Sequence, residues 1–153
     1  MKIIELMDRQ FVISNLHSKI KRDVLKEMVD CILKKEADID GNELLRVLLD
    51  REELGSTGIG DGIAIPHGKV KKISKLIVSF GRSLEGVDFQ SMDGKPTHII
   101  FLLIAPENSA GIHLKALARI SRLLKDIGFR KHLMEAQSSQ ELYDVIARED
   151  EKY

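Results

Sequence analysis

Tryptophan is absent, and aromatic residues make up only 5% of the 153-residue chain. Flat side chains on which a sugar ring or a base could stack are therefore scarce. Cysteine occurs once, at Cys31, which excludes an internal disulfide framework and suits a reducing compartment. Neither sign of charge is in excess: 24 lysines and arginines face 24 aspartates and glutamates. That balance excludes a generalised basic surface for nucleic acid, although not a local anion site. Long apolar runs are missing too. The longest, Ile99 to Ala105, is roughly a third of a membrane span. Glu5 and Asp8 break up the apolar residues near Met1, so no signal-peptide core forms. The expectation is a cytoplasmic chain with no direct membrane insertion.

What is present is an ordinary globular composition, 43% hydrophobic and 31% charged, of a length that suits one domain over residues 1–153. Such a chain buries roughly two-thirds of its unfolded surface and needs no covalent or metal staple. Phe11-Val12-Ile13 reads as a short strand. From Ser18 to Lys35, Ile20, Val24, Met28 and Ile32 recur every fourth residue, the stripe of an amphipathic helix. Asn42 is placed to cap a second helix to about Leu54, where Gly55 stops it. Strand signals follow at Ile63–Ile65, Leu76–Phe80, Val87–Phe89 and Ile99–Ile104, the last apolar on both faces and so central. Asn108 or Ser109 opens a helix to about Asp126, Gly128 breaks it, and a short helix runs from Phe129 to Ala136. Ser138 and Glu141 have capping-box spacing for a final helix, and the charged tail Arg148 to Lys152 is expected to fray. Two helices, a group of strands, then three helices predict an α/β fold: a three-layer α/β/α sandwich with a mixed central sheet.

The densest local signal is the segment from Leu54 to Lys69. Four of the chain's 11 glycines fall between Gly55 and Gly62, and Gly68 follows. Glycines at this density let backbone amides converge on an anion. Nucleotide motifs fail here. Five residues separate Gly62 from Gly68 where a Walker loop needs four, and Val70 stands where it needs a hydroxyl. Gly55, Gly58 and Gly60 carry the dinucleotide spacing in reverse order, before a strand rather than a helix.

His67, between Pro66 and Gly68, is either a histidine in a turn or, given the glycines before it, a nucleophile at an anion or phosphoryl site. A neutral imidazole keeps one lone pair free for attack on phosphorus. His113 shares a face with Leu117, Ile120 and Leu124. Taken alone it is a histidine at the edge of the core. It also lies about one turn from a helix N-terminus, where an anion is favoured and an imidazolium is not. Arg51 either satisfies carbonyls at the end of its helix or clamps phosphoryl oxygens in bidentate fashion. His17 and His132 read as surface residues, His98 as structural and Cys31 as a small core residue. A zinc site would have to be assembled from scattered His67, His98 and His113.

These residues resemble the type-2 enzyme IIA domains of the bacterial phosphoenolpyruvate-dependent phosphotransferase system. The class comprises the fructose and mannitol domains and their nitrogen-regulatory relatives. The resemblance rests on Leu54-Gly55-Ser56-Thr57-Gly58-Ile59-Gly60 and Gly62-Ile63-Ala64-Ile65-Pro66-His67-Gly68-Lys69, then on His113-Leu114-Lys115 with Leu117-Ala118, and on Ala136 to Leu142. It covers about Ile3 to Ala147 and implies an α/β/α sandwich. It also implies that His67 accepts a phosphoryl group from the histidine phosphocarrier protein, with His113 and Arg51 beside it. Gly55, Ser56, Thr57 and Gly68 become candidate phosphoryl-binding positions. Transfer between two imidazoles is nearly isoenergetic, so neither a cofactor nor a metal is expected to be required. The residues give no sign of a deep pocket, which suits shielding by a partner surface.

Two roles follow from the resemblance. In the first, the chain's phosphorylation state controls which partner it binds, as in the nitrogen-regulatory branch. In the second, it hands the group to a IIB domain for uptake of fructose, mannitol or a similar sugar. A chain of IIA length without IIB or membrane segments leans towards the first, and on either role the phosphoryl acceptor is expected to be another protein.

Overall fold

The computed structural model describes all residues, Met1–Tyr153. Two single-turn 3-10 helices, Ile3–Leu6 and Arg9–Phe11, lead into β1 (Val12–Ile13). Helices α1 (Lys21–Leu33) and α2 (Gly41–Glu53) precede the strands β2 (Gly58–Gly60), β3 (Ile63–Ala64), β4 (His67–Val70), β5 (Ile77–Val87) and β6 (Thr97–Pro106). Helices α3 (Ala110–Leu124), α4 (Ile127–Glu135) and α5 (Ser139–Asp150) complete the chain. None of these helices is long and apolar enough to cross a membrane.

The six strands form one mixed sheet in the order β1-β5-β6-β3-β2, with β4 also paired to β6. β6 is its axis. One edge is antiparallel to β5; the other is shared by β3 and then β4, both parallel to it. Side-chain alternation decides the layers. Ile99, Phe101, Leu103 and Ala105 face a core completed by α3, α4 and α5. Ile100, Leu102 and Ile104 face a second core completed by α1 and α2. A strand buried on both faces must be apolar throughout, which is why β6 is legible as central.

Several local expectations are corrected. Ile20 is not part of the α1 stripe: it is the half-exposed N-cap, while Val24, Leu25, Met28, Val29 and Ile32 are buried. Asp40, rather than Asn42, caps α2, its Oδ1 accepting from the amides of Asn42 and Glu43 at 3.1 and 3.2 Å. Gly128 lies inside α4, and the break falls at Asp126, which accepts from the Phe129 amide at 3.2 Å. β5 is one long strand to Val87 with a register shift after Arg82, so Phe89 is a core residue beyond its end. The tail does not fray at Glu149 and Asp150. Both are buried, and the Asp150 carboxylate takes the Ile4 amide at 3.0 Å and Arg119 Nε at 2.8 Å. Ser138 does cap α5, accepting from the Glu141 amide at 3.1 Å.

At Gly68 the sheet packs directly against α2. A Cβ there would lie 2.7 Å from Val47 Cγ1. Gly68→Ala is therefore expected to lower stability by about 1–3 kcal/mol through overpacking, and Val47→Ala in the same chain to recover most of it. Urea unfolding of the single and double variants checks this; additive losses would contradict it.

Candidate functional site

β4 pairs only with β6, so its other edge is left open between α2 on one side of the sheet and α3 on the other. A cleft of about 650 Å³ occupies that space, lined by Val47, Arg51 and Leu54 of the α2 segment, His67 to Lys69 of β4, and His113, Leu114 and Leu117 of α3. The cleft was not expected from the sequence. It arises because three elements distant in the chain meet at one strand edge.

His67 is the first residue of β4, half-buried at the base of the cleft. Its Nδ1 lies 2.9 Å from the Ile65 carbonyl oxygen. A carbonyl can only accept, so Nδ1 carries the proton and Nε2 keeps the lone pair. Arg51 Nε donates to that Nε2 at 3.3 Å, while Arg51 Nη1 donates to the Gly55 carbonyl at 2.8 Å. The second bond is short and the first is long, so the guanidinium is anchored to the loop and rests lightly on the imidazole.

His113 stands edge-on to His67, with ring centroids 5.4 Å apart and planes at 80°. It is buried, and its Nδ1 has no hydrogen-bond partner. Burial, then the positive charge available to His67 and that of Lys69, push its pKa below the ordinary imidazole value. His113 is thus neutral at neutral pH. The sign for stability follows. As pH falls through the ordinary value, the unfolded chain takes up a proton that folded His113 resists, so its contribution to stability falls with pH. Lys69 forms no salt bridge and is exposed two residues from His67 on the same strand face. Lys69→Met is expected to raise the His113 pKa part-way towards normal, the burial effect remaining. An NMR titration of the imidazole would show this, and an unchanged midpoint would contradict it.

Of the residues singled out in the sequence, the structure brings together His67, His113 and Arg51. The glycine-rich loop lies behind them with its polar groups committed elsewhere. The Thr57 amide donates to Glu52 Oε1 at 3.0 Å, and the Thr57 hydroxyl donates to Glu52 Oε2. Ser56 Oγ donates to the Phe89 carbonyl and accepts from the Gly58 amide, both at 3.0 Å. The Gly55 amide donates to the Glu52 carbonyl at 3.1 Å. Gly55 therefore meets the site through its carbonyl and Gly68 through its packing on Val47. His98 stands apart, its Nδ1 on the Ser83 carbonyl at 2.8 Å. No cluster of three or more His, Cys, Asp or Glu side chains is arranged to hold a metal. His17 and His132 are exposed, and Cys31 is only half-buried.

With the geometry in place, comparison with known proteins decides the family. The model described as "Phosphoenolpyruvate-dependent sugar phosphotransferase system, EIIA 2" matches residues 5–149. The chain belongs to this family. It is 42% identical over 150 residues to a nitrogen regulatory protein of Bradyrhizobium diazoefficiens, covering 96% of this chain and 95% of that one. It is 41% identical over 150 residues to the fructose-specific EIIABC component of Bacillus subtilis, covering 98% of this chain but only 24% of that protein's length. The crystal structure of nitrogen regulatory protein IIA-Ntr from Neisseria meningitidis superposes with a TM-score of 0.87 at 31% identity, covering 94% of this chain and 98% of that one. The α/β/α sandwich is thus the fold of EIIA 2 domains. Mannitol IIA of Escherichia coli shares that fold, with a TM-score of 0.75 at 23% identity over 91% of this chain and 97% of that one.

Two residues of this EIIA 2 domain went unremarked in the sequence. Lys21 and Glu52 form a salt bridge of 3.0 Å with side chains 11% and 3% exposed. A signal was available. Lys21 opens α1 and Glu52 sits in the last turn of α2, so each charge opposes its own helix dipole and calls for a partner.

Proposed function

We propose that this chain is a phosphoryl carrier acting as a single EIIA unit over residues 1–153. His67 Nε2 takes the group from the histidine phosphocarrier protein, and the phosphorylation state then governs partner binding as in the nitrogen-regulatory branch. The supporting observation is the fixed tautomer of His67, with Nδ1–H on the Ile65 carbonyl and Nε2 beside Arg51. In the step, the Nε2 lone pair forms a bond to phosphorus in line with the donor imidazole. The donor P–N bond breaks and its electron pair returns to the donor nitrogen. The Nδ1 proton stays where it is, so no general base is needed.

Charge on the three equatorial oxygens is the remaining difficulty. Arg51 swings from Nε2 to those oxygens while Gly55 holds its other end. Neutral His113 donates one N–H without the repulsion that two imidazolium rings would feel, and the N-terminal turn of α3 adds its dipole. Gly55, Ser56 and Thr57 serve by holding the loop and Arg51, and Gly68 by letting α2 close on β4. The apolar walls of the cleft, Val47, Leu54, Leu114 and Leu117, suit the side chains of a docking protein that excludes water during transfer.

A second reading has its own support in the 41% identity to the fructose-specific component. On that reading the group passes to a IIB domain for sugar uptake. A relative in fold was solved as a complex of enzyme IIA mannitol with phosphorylated enzyme IIB mannitol. A phosphoryl chase separates the two. After labelling with phosphoenolpyruvate, enzyme I and carrier protein, the regulatory reading expects the label to survive candidate IIB domains. Rapid discharge to one of them establishes the transport reading instead.

A further inference from the structure

The buried salt bridge between Lys21 and Glu52 lies behind the site, outside the cleft, and a bridge so placed is weak evidence for stability by itself. Its connections say more. Glu52 follows Arg51 in α2, and its carboxylate takes both the amide and the hydroxyl of Thr57. The Thr57 carbonyl in turn accepts from the Ile65 amide at 3.1 Å. The Ile65 carbonyl then accepts from His67 Nδ1. On the other branch, the Glu52 carbonyl accepts from the Gly55 amide, and the Gly55 carbonyl holds Arg51 Nη1. One residue thus reaches both members of the Arg51–His67 pair, each through a chain of main-chain hydrogen bonds.

We propose that Glu52 is the positioning residue: its carboxylate, neutralised by Lys21, supplies the acceptor for the Thr57 amide that sets the His67 tautomer and the Arg51–His67 contact. Lys21 is suited to the task because it is tied down at several points. Its amide donates to the Asp88 carbonyl at 3.0 Å, its Nζ reaches Ser56 Oγ at 3.4 Å, and it stands 5.0 Å from the centre of the Phe89 ring. The ammonium therefore ties the start of α1 and the Phe89 segment to the carboxylate that clamps the loop. Lose the acceptor for the Thr57 amide, and Ile65 is held less firmly. Its carbonyl then no longer enforces Nδ1–H, and a share of His67 carries the proton on Nε2, where it blocks attack. The catalytic part of this inference rests on the phosphoryl-carrier reading; the tautomer part stands without it.

Two double variants isolate the role, because both delete the ion pair and differ in whether an acceptor remains. Lys21→Met with Glu52→Gln keeps an amide oxygen for the Thr57 N–H. Lys21→Met with Glu52→Met does not. Long-range 1H–15N spectra of the unphosphorylated proteins report the His67 tautomer, and rapid-quench labelling reports the rate of phosphoryl acceptance. The Gln variant is expected to keep the single Nδ1–H tautomer and a rate close to the parent's. The Met variant is expected to show both tautomers and a rate lower by about 10- to 100-fold. Identical tautomers in the two folded variants would overturn the proposal, whatever their melting temperatures. Altered tautomers with unchanged rates would leave the positioning role intact and count against attack through Nε2, whereas no acceptance by the parent protein would fail the phosphoryl-carrier reading alone. Should the Met variant not fold, Lys21→Met with Glu52→Ala removes the same acceptor for the Thr57 amide with a smaller side chain. A mixed tautomer there supports the proposal, and an unchanged one overturns it.

Discussion

His67→Ala is expected to abolish labelling by phosphorylated carrier protein, with no slower residual phase. The expectation follows from the proton inventory of the site. His113 is the other imidazole in the cleft, and it is buried, with an Nδ1 that has no partner. No hydrogen bond from Nδ1 fixes which of its nitrogens keeps the lone pair, unlike the Nδ1–H of His67 on the Ile65 carbonyl. The variant loses a half-buried ring and two modest hydrogen bonds, so its fold survives and the loss reads as chemistry. His113→Ala is expected only to slow labelling, since it removes a donor and a wall of the cleft rather than the nucleophile. Arg51→Ala, which removes the mobile cation, is expected to slow it on the order of 100-fold, the usual cost of losing one preorganised charge-stabilising donor. Labelling of His67→Ala at the parent rate would end the assignment.

The largest expected loss of stability lies away from the cleft, on β5. Arg82 of β5 is buried, with its guanidinium donating to the Ser14 carbonyl at 2.8 Å and to the Leu133 and Ala136 carbonyls at 2.8 and 2.6 Å. Leu133 and Ala136 belong to the end of α4, whose last carbonyls have no partners within the helix. A cation there also meets the negative end of the helix dipole. Burial holds the Arg82 pKa below its ordinary value, and its hydrogen bonds go to carbonyls rather than to a carboxylate. The guanidinium is held by main-chain oxygens, and the charge of Glu141 offsets part of the cost of burial. Arg82→Met keeps much of the stem but strands three carbonyls at about 1–3 kcal/mol each before water relieves some of them. The expected net loss is about 3–5 kcal/mol, a large part of the stability of a domain this size. Urea unfolding measures it, with the slope checked for two-state behaviour. A loss below about 1 kcal/mol would show that water replaces the guanidinium without strain.

The legible parts of the chain were those where side-chain pattern alone decides structure. Uniform apolarity from Ile99 to Ile104 marked the central strand, the four-residue recurrence of Val24, Met28 and Ile32 marked α1, and Ser138 with Glu141 marked the start of α5. β2 and β4 were illegible for the converse reason. Gly58-Ile59-Gly60 and His67-Gly68-Lys69-Val70 carry little strand propensity and become strands only because β3 and β6 offer them hydrogen bonds. The tail misled because charge reads as exposure. Asp150 is buried only because Arg119 and the Ile4 amide, far away in sequence, meet it.

The site divides along the same line. His67, His113 and Arg51 could be singled out from local context and from resemblance. The cleft that unites them depends on α2 and α3 flanking one strand edge, which no local pattern encodes. The glycine loop is the instructive case. Its density of glycines suggested amides aimed at an anion, but the Thr57 and Gly58 amides are already paired with Glu52 and Ser56. The partner that claims Thr57 sits five residues away in a helix, and its charge was visible only as an unfavourable one at a helix end.

The central claim is that His67 is a phosphoryl acceptor whose reactive atom is Nε2. The most direct test is to incubate the protein with phosphoenolpyruvate, enzyme I and carrier protein, and then to map the acid-labile phosphate by mass spectrometry and 31P NMR. One phosphoryl group per chain, on His67 and linked through Nε2 with Nδ1 still protonated, is the expected result. No label, label on another residue, or linkage through Nδ1 would contradict the claim.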